Sequence, residues 1–164
     1  MEQHSDIITR LVQPSDAVVL REKCFVWNTI EEVEARIQTN LEKYAAGEMI
    51  PLVAEVDGVV IGNALLQRNT FCLFRHRAEL ADMVVAGAYQ GRGIARRLIE
   101  ALRIHAAQMG IKIFETSVRG GTPAEEVYRK VGFQEYGRLP GGMLEPWGEQ
   151  LVYDLVLFWM PVES

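Results

Sequence analysis

Between Ala88 and Ala106 the chain reads AYQGRGIARRLIEALRIHA, an amphipathic run opened by two glycines one residue apart. Ile94, Leu98, Leu102 and then His105 or Met109 share one face, while Arg96, Glu100 and Arg103 share another at ion-pair spacing. That is the pattern of a helix packed on one side only. Gly110 closes it just past the last turn. The run lies between two β-rich stretches, Ala78–Val85 and Ile111–Val118 (IKIFETSV). A helix crossing between two strands requires those strands to be parallel if they are neighbours. This unit therefore commits the chain to a sheet with a parallel pair.

The surrounding sequence adds antiparallel strands. Asp57-Gly58 between Leu52–Val56 and Val59–Leu66 is a strong hairpin signal. Asp6–Val12 reads as an opening strand, and Pro14-Ser15-Asp16 as the start of a helix over Ala17–Trp27. Thr29 and Glu32 have capping-box spacing, so a second helix is expected over Ile30–Ala46, closed by Gly47. Asn69–Arg77 reads as a turn. After the crossover come a short helix, Pro123–Val131, and two strands, Phe133–Leu139 and Leu151–Met160, separated by a Gly/Pro-rich loop, GGMLEPWG. The expected fold class is α/β (α+β): one domain over residues 1–164, with a mixed, mostly antiparallel sheet and helices packed on it.

Composition narrows the function classes. The 164 residues are 49% hydrophobic and 24% charged, enough to bury a substantial core. No apolar run approaches the roughly 20 residues of a membrane helix, and the polar start MEQHSDIITR is unlike a secretory signal. A cytoplasmic protein with no membrane partner is expected. Cys24 and Cys72 each sit among apolar residues and read as two buried thiols, with a disulfide as the alternative. His4, His76 and His105 are scattered, so no metal site is expected. A net charge of −5 points to no nucleic-acid partner. Arg92, Arg96, Arg97 and Arg103 against Glu100 nevertheless make the crossover helix locally basic.

That local charge gives the two glycines a purpose. The first turn of a helix carries unpaired N–H groups and a partial positive charge. Gly91 and Gly93 let an anion approach those groups closely, and Arg92 adds a full charge beside them, which is the physics of a phosphate cradle. The P-loop pattern is absent, because no Gly-Lys-Ser/Thr follows. The dinucleotide fingerprint is half met by Gly91 and Gly93, with Glu115 about twenty residues further on where a ribose-binding acid would sit. Arg96 stands at its third glycine, however, and the upstream hairpins do not supply its repeated strand–helix–strand units.

A third pattern fits better. Gln90-Gly91-Arg92-Gly93-Ile94-Ala95 resembles the Q/R-x-x-G-x-G/A signature of the GNAT superfamily of N-acetyltransferases, and AEEVYRKVGF resembles its A-x-x-L-Y-x-K-x-G-F segment. Together with the element order, the resemblance covers most of the chain. Its last third is most similar to the small-molecule branch that includes tabtoxin-resistance-type acetyltransferases. The resemblance implies acetyl-CoA as co-substrate, no metal, and an amine acceptor. Its diphosphate would lie on the backbone from Gln90 and Gly91 through Arg92, Gly93, Ile94 and Ala95 to Arg96. It also implies a bulge at Met83, Val84 and Val85, where the pantetheine arm pairs with the strand, and which splays this strand from its parallel neighbour. Helices on both faces of the sheet are implied as well, and a homodimer is compatible with the family.

The family's tyrosine matches Tyr128, whose phenol, with a pKa of about 10, would serve a departing thiolate of pKa about 8.5. Glu79, Asp82 and Glu115 are the candidate bases, with Glu79 placed first, and a water chain is the alternative to any of them. Trp27, Ser117 and Trp147 are the expected acceptor contacts, with Phe25, Tyr44 and Met143 as further candidates for the pocket. Arg75-His76-Arg77 reads as a solvated turn, or as a contact for the adenosine phosphate. Two departures stand out: Gly121 occupies a position where the family often has Asn, and the acidic residue expected near Ser117 in the tabtoxin-resistance-type branch is absent. A non-catalytic acyl-CoA-binding domain and a dinucleotide-dependent oxidoreductase remain alternatives at this point.

Overall fold

A computed structural model describes residues 6–163. In chain order the elements are β1 (Ile7–Leu11), α1 (Ala17–Lys23), α2 (Ile30–Ala45), β2 (Met49–Val56), β3 (Val59–Arg68), β4 (Arg77–Val85), α3 (Ile94–Gln108), β5 (Ile113–Arg119), α4 (Pro123–Lys130), β6 (Gln134–Leu144) and β7 (Val152–Pro161). The expected order holds throughout. The capping box at Thr29 is formed: the Glu32 N–H donates to Thr29 Oγ1 at 3.2 Å and the Thr29 N–H to Glu32 Oε2 at 2.9 Å.

Two boundaries differ most from the sequence reading. Helix α1 stops at Lys23 instead of Trp27, because the N–H groups of Cys24 and Phe25 both donate to Leu20 O at 2.8 Å. That turn drives Phe25 into the core and leaves Trp27 96% exposed. Strand β6 runs on to Leu144, so half of the expected GGMLEPWG loop is strand. A register shift between Leu139 and Met143 absorbs Pro140, Gly141 and Gly142. An edge strand with one neighbour tolerates such residues. At Gly142 nothing larger fits, since a Cβ there would lie 2.7 Å from Leu155 Cβ.

The sheet has seven strands in the order β1-β2-β3-β4-β5-β7-β6, and β4–β5 is its parallel pair. Alternate residues of each strand face opposite layers. Leu52, Ile61, Leu80, Phe114 and Phe158 pack under α3 residues Leu98, Ile99 and Leu102. On the other face Val53 and Val60 pack with Leu20, Phe25, Val33 and Ile37 of the α1–α2 region. At Gly62 a Cβ would lie 3.2 Å from Ile94 Cγ2, so glycine there lets the start of α3 settle close onto the sheet.

Two irregularities open the middle of the sheet. Leu65 pairs with Ala81, but Asn63 pairs with Val84, so β4 carries one extra residue. The bulge centres on Asp82 and Met83, with Asp82 at φ 48°, one step earlier than the 83–85 segment expected from sequence, because Val84 and Val85 are already back in register. Buried Asn63 holds it, its Nδ2 donating to Asp82 O at 3.0 Å. The second irregularity is that β4 and β5 pair only at Arg77–Ile113, Ala78–Phe114 and Glu79–Glu115, beyond which they part. Loss of a buried hydrogen bond costs about 1–3 kcal/mol. In urea unfolding Asn63→Ala should lower stability by that amount; a change below about 0.5 kcal/mol, the scatter of neutral substitutions, would mean that the bulge does not depend on Asn63.

Candidate active site

The start of α3 leaves its backbone donors open. Gly91 has φ +76° and Gly93 φ +80°, conformations that side-chain-bearing residues rarely adopt, and the space where each Cβ would project is open for 4 Å. Gly93 is the N-cap and supplies no side-chain acceptor, and the first turn carries no acidic residue. The leading N–H groups of α3 thus have neither a capping side chain nor a carboxylate over them. Gln90 fixes the approach, its Nε2 donating to Val85 O at 3.1 Å.

These groups border a cleft of about 670 Å³ between α3, α4 and the end of β4. It gathers Met83, Val85, Gln90, Gly91, Gly93, Ile94, Ala95, Arg96 and Tyr128. Two residues expected with them point elsewhere. The Val84 side chain packs with the α1–α2 cluster on the opposite face, so only its backbone is available to the cleft. The Arg92 guanidinium lies 5.1 Å over the Tyr89 ring. Arg96 joins α3 to α4 through a 2.8 Å bond from Nη2 to Lys130 O.

Helix α4 aims Tyr128 into this cleft. Its N-terminus is fixed by a bond from the Gly121 N–H to Glu125 Oε1 at 2.7 Å and another from Thr122 Oγ1 to Arg119 O at 2.7 Å. The Tyr128 ring stands edge-on to Phe133 at 5.4 Å and stacks on Phe158 at 6.3 Å. Burial raises its hydroxyl above the ordinary phenol range, partly offset by a hydrogen bond with Thr116. Tyr128 therefore keeps its proton at neutral pH.

A second cavity, of about 430 Å³, includes Arg77, Glu79, Glu115, Thr116, Ser117 and Tyr136 in its walls. Glu79 and Glu115 are register partners across the parallel pair. Arg77 grips Glu115 with two bonds, Nη2 to Oε1 at 2.6 Å and Nε to Oε2 at 2.7 Å, and Tyr136 Oη adds a third at 3.1 Å. Arg77 is thus a wall of this cavity and not part of a solvated turn or a contact of the glycine cleft. Asp82 pairs with Arg36 at 3.5 Å. Glu79 is exposed at the cavity wall. So Glu79 and Tyr128, expected as partners in catalysis, border two different cavities. Thr116 and Tyr136 were not singled out by the sequence, and Arg77 was read there only as part of a turn or a cofactor contact. Only the strand register places them with Glu79, and no local pattern carries that information.

Of the expected acceptor contacts, Ser117 lines the second cavity, whereas Trp27 and the 61% exposed Trp147 border neither cavity. Tyr44 and Met143 border neither, and Phe25 is core. Both cysteines are free; Cys72 is exposed, contrary to the buried thiol expected, while burial pushes the Cys24 thiol up to about 11. Glu115 faces Arg77 and Tyr136, not the glycine cleft, which removes the acid a dinucleotide site would need. No group of His, Cys, Asp or Glu among the described residues is arranged to hold a metal, and no described helix is long and apolar enough to cross a membrane.

A family model described as the acetyltransferase (GNAT) family matches residues 17–133, which contain the bulged strand, the glycine turn, α3 and α4. The chain belongs to the GNAT acetyltransferase family. Solved GNAT-fold structures superpose on nearly the whole of it. A ribosomal-protein-alanine N-acetyltransferase from Brucella melitensis is 25% identical with a TM-score of 0.76, over 94% of this chain and 99% of that one. A putative acetyltransferase from Salmonella typhimurium, solved with its cofactor acetyl-CoA, is 20% identical with a TM-score of 0.78, over 96% and 95%. A phosphinothricin acetyltransferase from Sinorhizobium meliloti, solved with acetyl-CoA, is 17% identical with a TM-score of 0.78, over 94% and 88%.

Two of the five tyrosines have raised hydroxyl pKa values: Tyr128 by burial, and Tyr136 by burial and the Glu115 carboxylate beside it. In a spectrophotometric titration, Tyr128→Phe should remove one late-ionising phenol. Glu115→Gln should move the other to lower pH, because the repelling carboxylate is gone. If neither variant alters the alkaline end of the curve, these environments are wrongly assigned.

Proposed function

We propose that this GNAT protein is an acetyl-CoA-dependent N-acetyltransferase of a small, amino-acid-like amine, and that residues 1–164 act as one catalytic domain. The observation that carries the reading is the pair of left-handed glycines, Gly91 and Gly93, with open space over them at the uncapped start of α3. Uncapped helical N–H groups attract a diphosphate, and a Cβ at either glycine would project into the space it would fill. The Salmonella and Sinorhizobium structures, each solved with acetyl-CoA, support the same co-substrate.

In this reading the backbone from Gly91 to Arg96 holds the diphosphate. The β4 edge at Met83–Val85 lies along the same cleft and offers backbone to the pantetheine arm. Bound there, acetyl-CoA supplies an activated acyl group. Tyr128 Oη, protonated at neutral pH, donates a hydrogen bond or its proton to the departing sulfur. On the other side of the β4–β5 gap, Glu79 draws the ammonium of the acceptor and takes up its proton. Two cations, Arg68 and Arg77, balance two carboxylates, Glu79 and Glu115, in that cavity. Such a wall suits an acceptor with one ammonium and one anionic group better than a polycation, which favours the small-molecule, tabtoxin-resistance-type branch.

A thiol-release assay across amino acids, short peptides and polyamines tests the acceptor class; kcat/KM should be highest for amino-acid-like acceptors, and a preference for polyamines would overturn it. Gly93→Asp should abolish CoA binding by calorimetry, because it sets a carboxylate in the cradle. Tyr128→Phe should lower kcat by about 10²–10⁴-fold, the usual range for losing a general acid, at little cost in CoA affinity. Unchanged CoA binding in the first variant, or unchanged kcat in the second, would contradict the corresponding assignment.

A further inference from the structure

The last rung of the β4–β5 ladder, Glu79–Glu115, extends onto β3, where Gln67 is the register partner of Glu79. Opposed residues of neighbouring strands share a face, and in an antiparallel pair their Cβ atoms stand about 4.5–5.5 Å apart. Gln67, Glu79 and Glu115 all line the cavity of about 430 Å³. Their engagements differ. Arg77 and Tyr136 occupy the Glu115 carboxylate. Gln67 and Glu79 are exposed, and among the described residues no hydrogen bond or ion pair reaches either side chain.

We propose that Gln67 determines acceptor specificity: as a neutral amide beside Glu79 it holds this row to one free negative charge, so that the row selects a monocation, and it accepts a hydrogen bond from the same ammonium. The inference rests on Glu79 meeting the acceptor's ammonium, as proposed above. A primary ammonium has three N–H donors and no acceptor. The Glu79 carboxylate takes one donor, and the amide oxygen of Gln67, Oε1, takes a second.

The charge count gives Gln67 its leverage. The titratable groups in the cavity walls are Arg68, Arg77, Glu79, Glu115 and the neutral phenol of Tyr136, so cations and carboxylates balance. Arg68 directs Nε to Arg75 O at 2.9 Å, and Arg77 is spent on Glu115. Further along β4, Asp82 is paired with Arg36 of α2. A carboxylate in place of the Gln67 amide would set two free negative charges side by side and suit a dication. Glutamine and glutamate have nearly the same shape, so the choice between them is one of charge.

Gln67→Glu adds that charge at constant shape, and Gln67→Leu removes the accepting oxygen. The probes are n-butylamine and 1,4-diaminobutane, neither of which carries an anionic group. In a thiol-release assay Gln67→Glu should raise the kcat/KM ratio of diaminobutane to butylamine about fivefold, the upper range for an exposed ion pair. That gain should shrink at high salt. Gln67→Leu should raise the KM for butylamine about three- to tenfold with kcat little changed. Neither variant should alter the KM for acetyl-CoA. An unchanged amine ratio in Gln67→Glu, a gain indifferent to salt, or a parental butylamine KM in Gln67→Leu overturns the proposal. If neither amine is turned over, their dissociation constants from a chemical-shift titration of the CoA-bound protein give the same ratio and decide the matter. Glu79→Gln separates this inference from the reading beneath it. Lost turnover there, with both Gln67 variants behaving as the parent, sinks the Gln67 assignment alone. Full turnover there, with the selectivity gain present in Gln67→Glu, sinks the base role of Glu79 alone.

Discussion

Two neighbouring parallel strands that stop bonding after three residue pairs govern the rest of this molecule. A continuous sheet would present two closed faces. Here β4 carries an extra residue at Asp82–Met83, pinned by Asn63, and parts from β5 past Glu79 and Glu115. The open wedge is held from both layers. Leu98, Ile99 and Leu102 of α3 pack on one side, and the α1–α2 cluster with Phe25 and Val33 packs on the other. The strands can part because the helices, and not the missing ladder, keep them in place.

The wedge separates two chemistries. On one side lie backbone amides, two left-handed glycines and the protonated Tyr128, all hydrogen-bond donors. On the other, Glu79 stands beside an Arg77–Glu115–Tyr136 group that is nearly charge-neutral and held at 2.6–3.1 Å. That satisfied group makes a rigid wall and leaves Glu79 as the carboxylate able to meet a new cation. Helix α4, its N-terminus held by the Gly121 N–H bond to Glu125 Oε1, carries Tyr128 into the glycine cleft.

The sequence disclosed most of the fold because its strongest signals are local. Asp57-Gly58, the Thr29–Glu32 box and the Gly91–Gly93 turn each form as read. The losses occurred where tertiary contacts decide. Pro140-Gly141-Gly142 reads as loop, yet pairing with β7 holds it as an edge strand. Cys24 and Phe25 continue a helical pattern, yet Leu20 O turns the chain there. At the site, the cleft-lining members of the glycine signature were legible because an unbroken backbone segment forms them. The second cavity was not, because Arg77, Thr116 and Tyr136 come from three strands whose register no single segment reveals. Conspicuous aromatic residues misled for the same reason: Trp27 and Trp147 look like ligand contacts but border neither cavity.

The most direct test of the central claim is an amide NMR titration of the protein with coenzyme A. If the start of α3 holds the diphosphate and β4 lies along the pantetheine arm, the largest shifts will fall on Gly91 to Arg96 and on Met83 to Val85. Saturable binding that leaves the Gly91 and Gly93 amides unmoved would contradict the account.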